Sequence, residues 1–247
     1  MKSNIVCILL AFVFVSCSNE LRFENRFFEL KTTLSCQENC PYIRVKIPMA
    51  NGVPIVSDSI NKKIFSVLKG IIYFGEKPFT SSSYKDLLAS FIGSYEKMKR
   101  QFSEDTFGWE ANITGSVLYQ SDRILNIQIQ HYTFTGGAHG YEGLRSLIFD
   151  PDNGKIISNT KLFKNPNLFK AFAEKNFRLK YKIPAQGSIN ATGYQFENEV
   201  FKLPQNIFYT DKGLLLHYNQ YEVASYADGP KELFFPYAEI NEFLALR

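Results

Sequence analysis

The sequence predicts an α+β protein, with a small N-terminal β-β-α-α lobe and a larger C-terminal lobe in which helices pack on an antiparallel sheet. Three observations predict it. Two segments with apolar residues at helical spacing follow two segments rich in aromatic and branched residues. Three successive segments between Trp109 and Asp150 alternate apolar and polar residues with period two, and no repeat, low-complexity tract or long linker interrupts the order.

Phe23 to Leu34 and Tyr42 to Ile47 read as a strand pair flanking Cys36-Gln-Glu-Asn-Cys40, with Pro48 and Asn51-Gly52 as punctuation. Ser57-Asp58 reads as an N-cap, and Ile60, Ile64, Val67, Leu68 and Ile71 give the stripe of a helix that Gly75 ends. Ser83-Tyr-Lys-Asp86 resembles a capping box with Asp in place of Glu. Leu87, Leu88, Phe91, Ile92, Tyr95 and Phe102 continue a second stripe, and both stripes read as core.

Trp109 to Tyr119, Ile124 to Phe134 and Tyr141 to Asp150 read as antiparallel strands. Leu125, Ile127, Ile129 and His131 share one face, while Ile124, Asn126, Gln128, Gln130 and Tyr132 share the other, as expected where one face meets a core and the other water. Asp150-Pro-Asp-Asn-Gly154 is a turn, because proline presets φ and glycine supplies a positive φ. A helix follows over Asn167 to Tyr181, with Leu168, Phe172 and Leu179 as its apolar edge. Ile207 to Thr210, Leu214 to Tyr218 and Leu233 to Phe235 read as strands. Pro236 opens a closing helix that buries Ile240, Phe243 and Leu244.

The first residues set the compartment. Lys2 precedes the apolar run Ile5 to Val15, far short of the roughly 20 residues that cross a bilayer, and polar Ser18-Asn19-Glu20 follows at once. This is a secretion signal. Val15-Ser16-Cys17 resembles the end of a bacterial lipobox, with Phe14 departing from the usual Leu, so Cys17 is the expected site of acylation with palmitate or a similar chain. Ser18, rather than Asp, resembles the signal for outer-membrane delivery. The expected organisation is a signal peptide over 1–16, an N-terminal α+β domain over 17–110 and a C-terminal α+β domain over 111–247, lipid-anchored in the cell envelope.

Cysteine use agrees with export: Cys7 leaves with the signal, Cys17 carries lipid, and Cys36 and Cys40 remain to form a small disulfide loop. The formal charge of +4 is mild and no run of Lys and Arg concentrates it, which argues against nucleic acid as a partner. No Gly-x-Ser-x-Gly elbow is present, and Gly154-Lys155-Ile156 lacks the Ser or Thr of a phosphate-binding loop. The three histidines, His131, His139 and His217, fall on separate predicted strands or turns, so neither a metal nor another cofactor is expected.

Tyr132-Thr-Phe-Thr-Gly-Gly-Ala-His-Gly140 resembles the Gly-rich fingerprint of an extracytoplasmic domain family found in the anti-sigma factor RsiV and beside the catalytic domain of the peptidoglycan deacetylase PdaC. Asp150 to Lys155 with Lys161-Leu-Phe163, Gly213 to Tyr218, Tyr221 to Gly229 and Phe235-Pro-Tyr237 resemble its later segments, with Ser225 where the pattern has proline. The resemblance covers Trp109 to Leu244, and more loosely Leu30 to Phe102. It implies a non-catalytic envelope module that binds a protein or glycan, with a lysozyme-like protein or peptidoglycan as candidate partners. An envelope hydrolase or deacetylase-like enzyme using His139 and a carboxylate is the second reading, and a structural envelope component the third.

The expected binding residues are Tyr132, Gly136, Gly137, His139, Tyr141, Tyr221, Tyr226 and Asp228, since loops held by a rigid sheet commonly carry binding groups and tyrosine offers an apolar face with a polar tip. The competing account is structural. Gly136, Gly137, Gly140 and Gly229 also suit plain tight turns, and most tyrosines of a chain with 15% aromatic residues pack in cores.

Overall fold

The computed structural model describes residues 20–36, 38–72, 80–103 and 107–247. Cys17 and the signal segment lie outside the described residues, as does the expected helix end at Gly75. The protein is α+β, with a five-stranded and a three-stranded sheet.

Strands β1 (Arg22–Lys31) and β2 (Tyr42–Asn51) form an antiparallel pair, and the Cys36–Cys40 disulfide sits in their connection. β2 continues through Pro48, expected to end it. The Tyr42 N–H donates to Trp109 O, so alternate N–H groups of β2, including the one Pro48 lacks, face the neighbour on that side. Pairing on that side stops at Lys46, so the proline costs no ladder bond. Gly115 makes room for its ring: a Cβ there would lie 2.8 Å from Pro48 Cδ.

Helix α1 (Pro54–Ile72) begins a turn before the expected Ser57-Asp58 cap, because Pro54 serves as its first residue. Ser57 is buried instead, along with Val56, Ile60, Ile64, Leu68 and Ile72. Helix α2 (Tyr84–Gln101) starts where expected: Ser83 Oγ accepts from Asp86 N at 3.1 Å and donates to Asp86 Oδ2. It stops one residue short of Phe102, which is exposed rather than part of the core stripe.

β3 (Glu110–Gln120), β4 (Leu125–Phe134) and β5 (Tyr141–Phe149) form an antiparallel meander. The connection the alternation did not announce is between β2 and β3, which pair in parallel and merge all five strands into one sheet in the order β1-β2-β3-β4-β5. α1 and α2 cover one face of it over Ile43, Val45, Ile47, Ile113, Ile127 and Ile129. The other face carries Tyr42, Glu110, Asn112, Gln128, Gln130, Tyr132 and Glu142, all at least partly exposed.

A turn closed by Gly154 N to Asp150 O, with Gly154 at φ +66°, leads to the second core. Helix α3 (Pro166–Lys180), capped by Asn165, buries Phe169, Ala173 and Phe177. Its buried face is displaced by about one residue from the expected Leu168–Phe172–Leu179 edge: Leu168 and Leu179 are exposed and Phe172 is half-buried. Strands β6 (Asn206–Tyr209), β7 (Gly213–Tyr218) and β8 (Lys231–Pro236) form the antiparallel second sheet. The closing helix α4 (Tyr237–Ile240) is a single turn, and Leu244 reaches the core from beyond it through a bridge to Phe163.

The two sheets are joined by asparagine side chains. Asn219 Oδ1 accepts from Leu144 N and its Nδ2 donates to Leu144 O, so the amide occupies the place of a neighbouring strand. Asn206 Oδ1 accepts from Ser146 N, and Ser146 Oγ donates to Ile207 O. Asn126, fully buried, accepts from Tyr209 N and donates to Leu147 O. Each would be costly in a core without such partners.

Candidate binding site

The connection from β4 to β5 turns on Gly136 and Gly137, at φ +102° and +91°, and brings His139 to the surface. Gly140 is needed for a different reason: a Cβ there would lie 2.5 Å from the Tyr132 ring, so glycine lets that ring pack on the backbone. The segment between β7 and β8 approaches the same place. The His139 and Tyr226 rings stack at 3.8 Å and 14°, and the Tyr221 ring lies 5.6 Å from Tyr226. Tyr221 holds a positive φ of 65° and sets its hydroxyl 3.4 Å from His139 Nε2, while His139 Nδ1 lies 3.0 Å from Gly140 O.

The structure thus brings together His139, Tyr221 and Tyr226, two segments more than 80 residues apart, with Tyr132 beside them. Burial, then the neighbouring Glu110 and Tyr226, raise the Tyr132 hydroxyl above its ordinary pKa. Asp228 belongs to the supporting turn: its Oδ2 accepts from Ser225 Oγ, which in turn accepts from Asp228 N, and the serine hydroxyl holds the carboxyl below its usual range. Ser225 thereby ties the turn with hydrogen bonds. Tyr141 is not brought to the cluster. Its ring lies 5.7 Å from His131 on the helix-covered face of the sheet.

Next to the aromatic cluster lies a cleft of about 300 Å³ between the open face of β4 and β5 and the segments around Asn219, Gln220 and Pro230. Gln128, Gln130 and Glu142 line one wall, with Gln130 Nε2 donating to Glu142 Oε1 at 2.9 Å. Gln220 lines the other, and its buried Oε1 has no hydrogen-bond partner. His217 stands at the base with an acceptor on each ring nitrogen, Glu232 Oε1 at 2.7 Å and Asn219 Oδ1 at 3.2 Å. Sequence reasoning did not single out this cleft. The alternation of Gln128, Gln130 and Tyr132 signalled one wall, but nothing local joins it to residues 217–230.

A family model described as deacetylase PdaC matches residues 34–142, and one described as protein of unknown function DUF3298 matches residues 150–238. Each match spans less than half of the chain, the first lying in its N-terminal part and the second in its C-terminal part. Two solved structures are similar over nearly their whole length. A DUF3298 family protein of Pseudomonas aeruginosa PAO1 shares 20% identity at a TM-score of 0.63, covering 92% of this chain and 96% of its own. A DUF3298 family member from Bacteroides fragilis NCTC 9343 shares 20% identity at 0.61, covering 90% and 94%. At that identity the likeness is one of fold. No curated protein matches the chain in sequence.

The PdaC segment contributes His139 and Tyr132, the DUF3298 segment Tyr221 and Tyr226, so the aromatic cluster is shared between the two matched regions. The three histidines occupy separate environments: the helix-side core, the exposed loop and the second sheet. Among the described residues no group of three or more His, Cys, Asp and Glu is placed to hold a metal ion. His139 faces a carbonyl and a phenol rather than a carboxylate, which is not the base-and-orienter pairing of nucleophilic catalysis.

Proposed function

We propose that the protein is a non-catalytic binding module of the cell envelope, tethered through an acylated Cys17, whose loop cluster holds an envelope glycan. One observation carries the reading: His139 and Tyr226 stack at the surface with Tyr221 tilted beside them, delivered by two loops fixed to rigid sheets. Such a group offers flat apolar area with polar tips, the chemistry that packs against sugar rings. The carboxamides of the adjacent cleft supply matching donors and acceptors.

Co-sedimentation of the mature protein with purified peptidoglycan tests it. Tyr226→Ala and His139→Ala are expected to weaken capture at least tenfold while leaving the melting temperature within a few degrees of wild type, and mass spectrometry of the supernatant is expected to find no new fragments. Undiminished capture by both variants removes the site, and repeatable released fragments favour a hydrolase or deacetylase-like enzyme instead. Capture of a lysozyme-like protein in preference to glycan, or of neither, overturns the ligand assignment. Labelled palmitate is expected to enter the wild-type chain and not Cys17→Ala; equal fractionation of the two unlabelled proteins would remove the tether.

A further inference from the structure

The cleft beside the aromatic cluster has a chemistry of its own. Of its lining groups, Gln128, Gln130, Asn219 and Gln220 are carboxamides, Glu142 is a carboxylate, and none is Lys or Arg. Carboxamides both donate and accept, which suits ligands whose groups do the same, namely hydroxyls and amides. A phosphate or carboxylate would meet Glu142 with no Lys or Arg among the lining residues to offset it, and His217 already has both ring nitrogens engaged by Glu232 and Asn219. Leu144 and Pro230 add apolar surface for C–H groups. The volume of about 300 Å³ is at the small end of the roughly 300–1,000 Å³ typical of ligand pockets, so it takes a single ring rather than a chain.

Two acceptors at the cleft bear on how a ligand would be held. Gln220 Oε1 is buried with no hydrogen bond, a state most buried polar atoms avoid. Glu142, by contrast, is exposed and engaged on one side by Gln130, leaving lone pairs for a second donor. A ligand hydroxyl or amide N–H in the cleft could donate to Glu142 directly, whereas Gln220 Oε1, closed to water, would gain a partner only if its side chain turned into the cleft. The walls are already fixed: Asn219 is held by both backbone groups of Leu144, and His217 is held between Asn219 and Glu232. Asn219 and His217 therefore need little reorganisation when a ligand binds, and the movement required is that of the Gln220 side chain.

We propose that this cleft is a subsite for one uncharged pyranose ring, recognised by Gln130, Glu142 and Gln220, and closed to anionic sugars. The proposal deepens the glycan reading of the loop cluster and rests on it for the ligand class.

Isothermal titration and ¹H–¹⁵N NMR of the mature protein with glucose, N-acetylglucosamine and glucose 6-phosphate test it. Millimolar binding of at least one neutral sugar is expected, with shifts at the side-chain amides of Gln130 and Gln220 and at least tenfold weaker binding of the phosphate. Gln130→Ala and Gln220→Ala are expected to weaken the neutral sugar at least fivefold with unchanged melting temperature. Absence of binding by both neutral sugars, preference for the phosphate, or wild-type affinity in both variants overturns the subsite. If the sugars fail while Tyr226→Ala still loses peptidoglycan capture, the subsite falls and the loop cluster stands. If the cleft variants lose the sugar while Tyr226→Ala and His139→Ala capture peptidoglycan normally, the subsite stands and the role given to the loop cluster falls.

Discussion

Acid should weaken this protein through His131. The ring is 3% exposed on the helix side of β4, neither nitrogen has a hydrogen-bond partner, and burial, with Arg145 adding to it, pushes its pKa from 6.5 down to about 4. The folded state therefore holds the neutral ring, and the unfolded chain takes up a proton first as pH falls. Stability from this group is whole above pH 6.5 and declines as pH drops through the window from 6.5 to about 4. At 1.36 kcal/mol per pKa unit, the loss is about 3 kcal/mol once pH reaches the folded-state value. His131→Phe removes the titration and keeps a ring of similar size. In urea unfolding followed by the fluorescence of Trp109, the single tryptophan, which packs on Phe91 and Tyr95 in the same core, the variant should gain on wild type by about 3 kcal/mol between pH 7 and pH 4. If the two proteins keep a constant stability difference across that range, His131 is not a neutral buried ring and the argument fails.

Three further outcomes are expected. Phe177→Ala should cost roughly 3–5 kcal/mol in equilibrium unfolding, since its fully buried ring meets Tyr194, Phe196, Phe201 and Tyr218, whereas Leu179→Ala on the exposed face should stay within about 0.5 kcal/mol. Ser83→Ala should cost about 1 kcal/mol by removing the α2 cap, a loss that Ser83→Asp largely recovers. Gly140→Val should displace the Tyr132 ring, visible as altered NMR shifts of Tyr132 and its neighbours, while Gly137→Ala, with open space at its Cβ, should be strained only through its positive φ.

Local chemistry made much of this structure legible. Period-two alternation from Leu125 to His131 named the core face of β4, including the histidine on it, and Ser83 marked the start of α2 to the residue. What it could not supply were choices made by distant partners. On α3, the leucines at 168 and 179 and the phenylalanines at 169 and 177 offer two adjacent apolar edges. The aromatic nest of Tyr194, Phe196, Phe201 and Tyr218 decides for the phenylalanines, and it comes from later in the chain. The parallel pairing of β2 with β3 closes across two helices, so no turn signal announces it. At the candidate site the glycines and tyrosines drew notice by themselves. Facing Gln130 across a cleft is a property of Gln220 that only the finished fold creates.

The asparagine joint limits how this molecule can associate. An open sheet with two bare edges can recruit copies at both ends and grow without limit, the geometry of fibres. Here the β5 edge is occupied: Leu144 by the Asn219 amide, Ser146 by Asn206 and Ile207, and Ile148 by the Ile157 N–H. The five-stranded sheet can therefore be extended only along β1, where Arg22, Glu24, Arg26, Glu29 and Lys31 discourage it with charge. Self-pairing there would stop at two copies. Replacing Asn219 would uncover only Leu144, and Ser146 and Ile148 would still close the β5 edge.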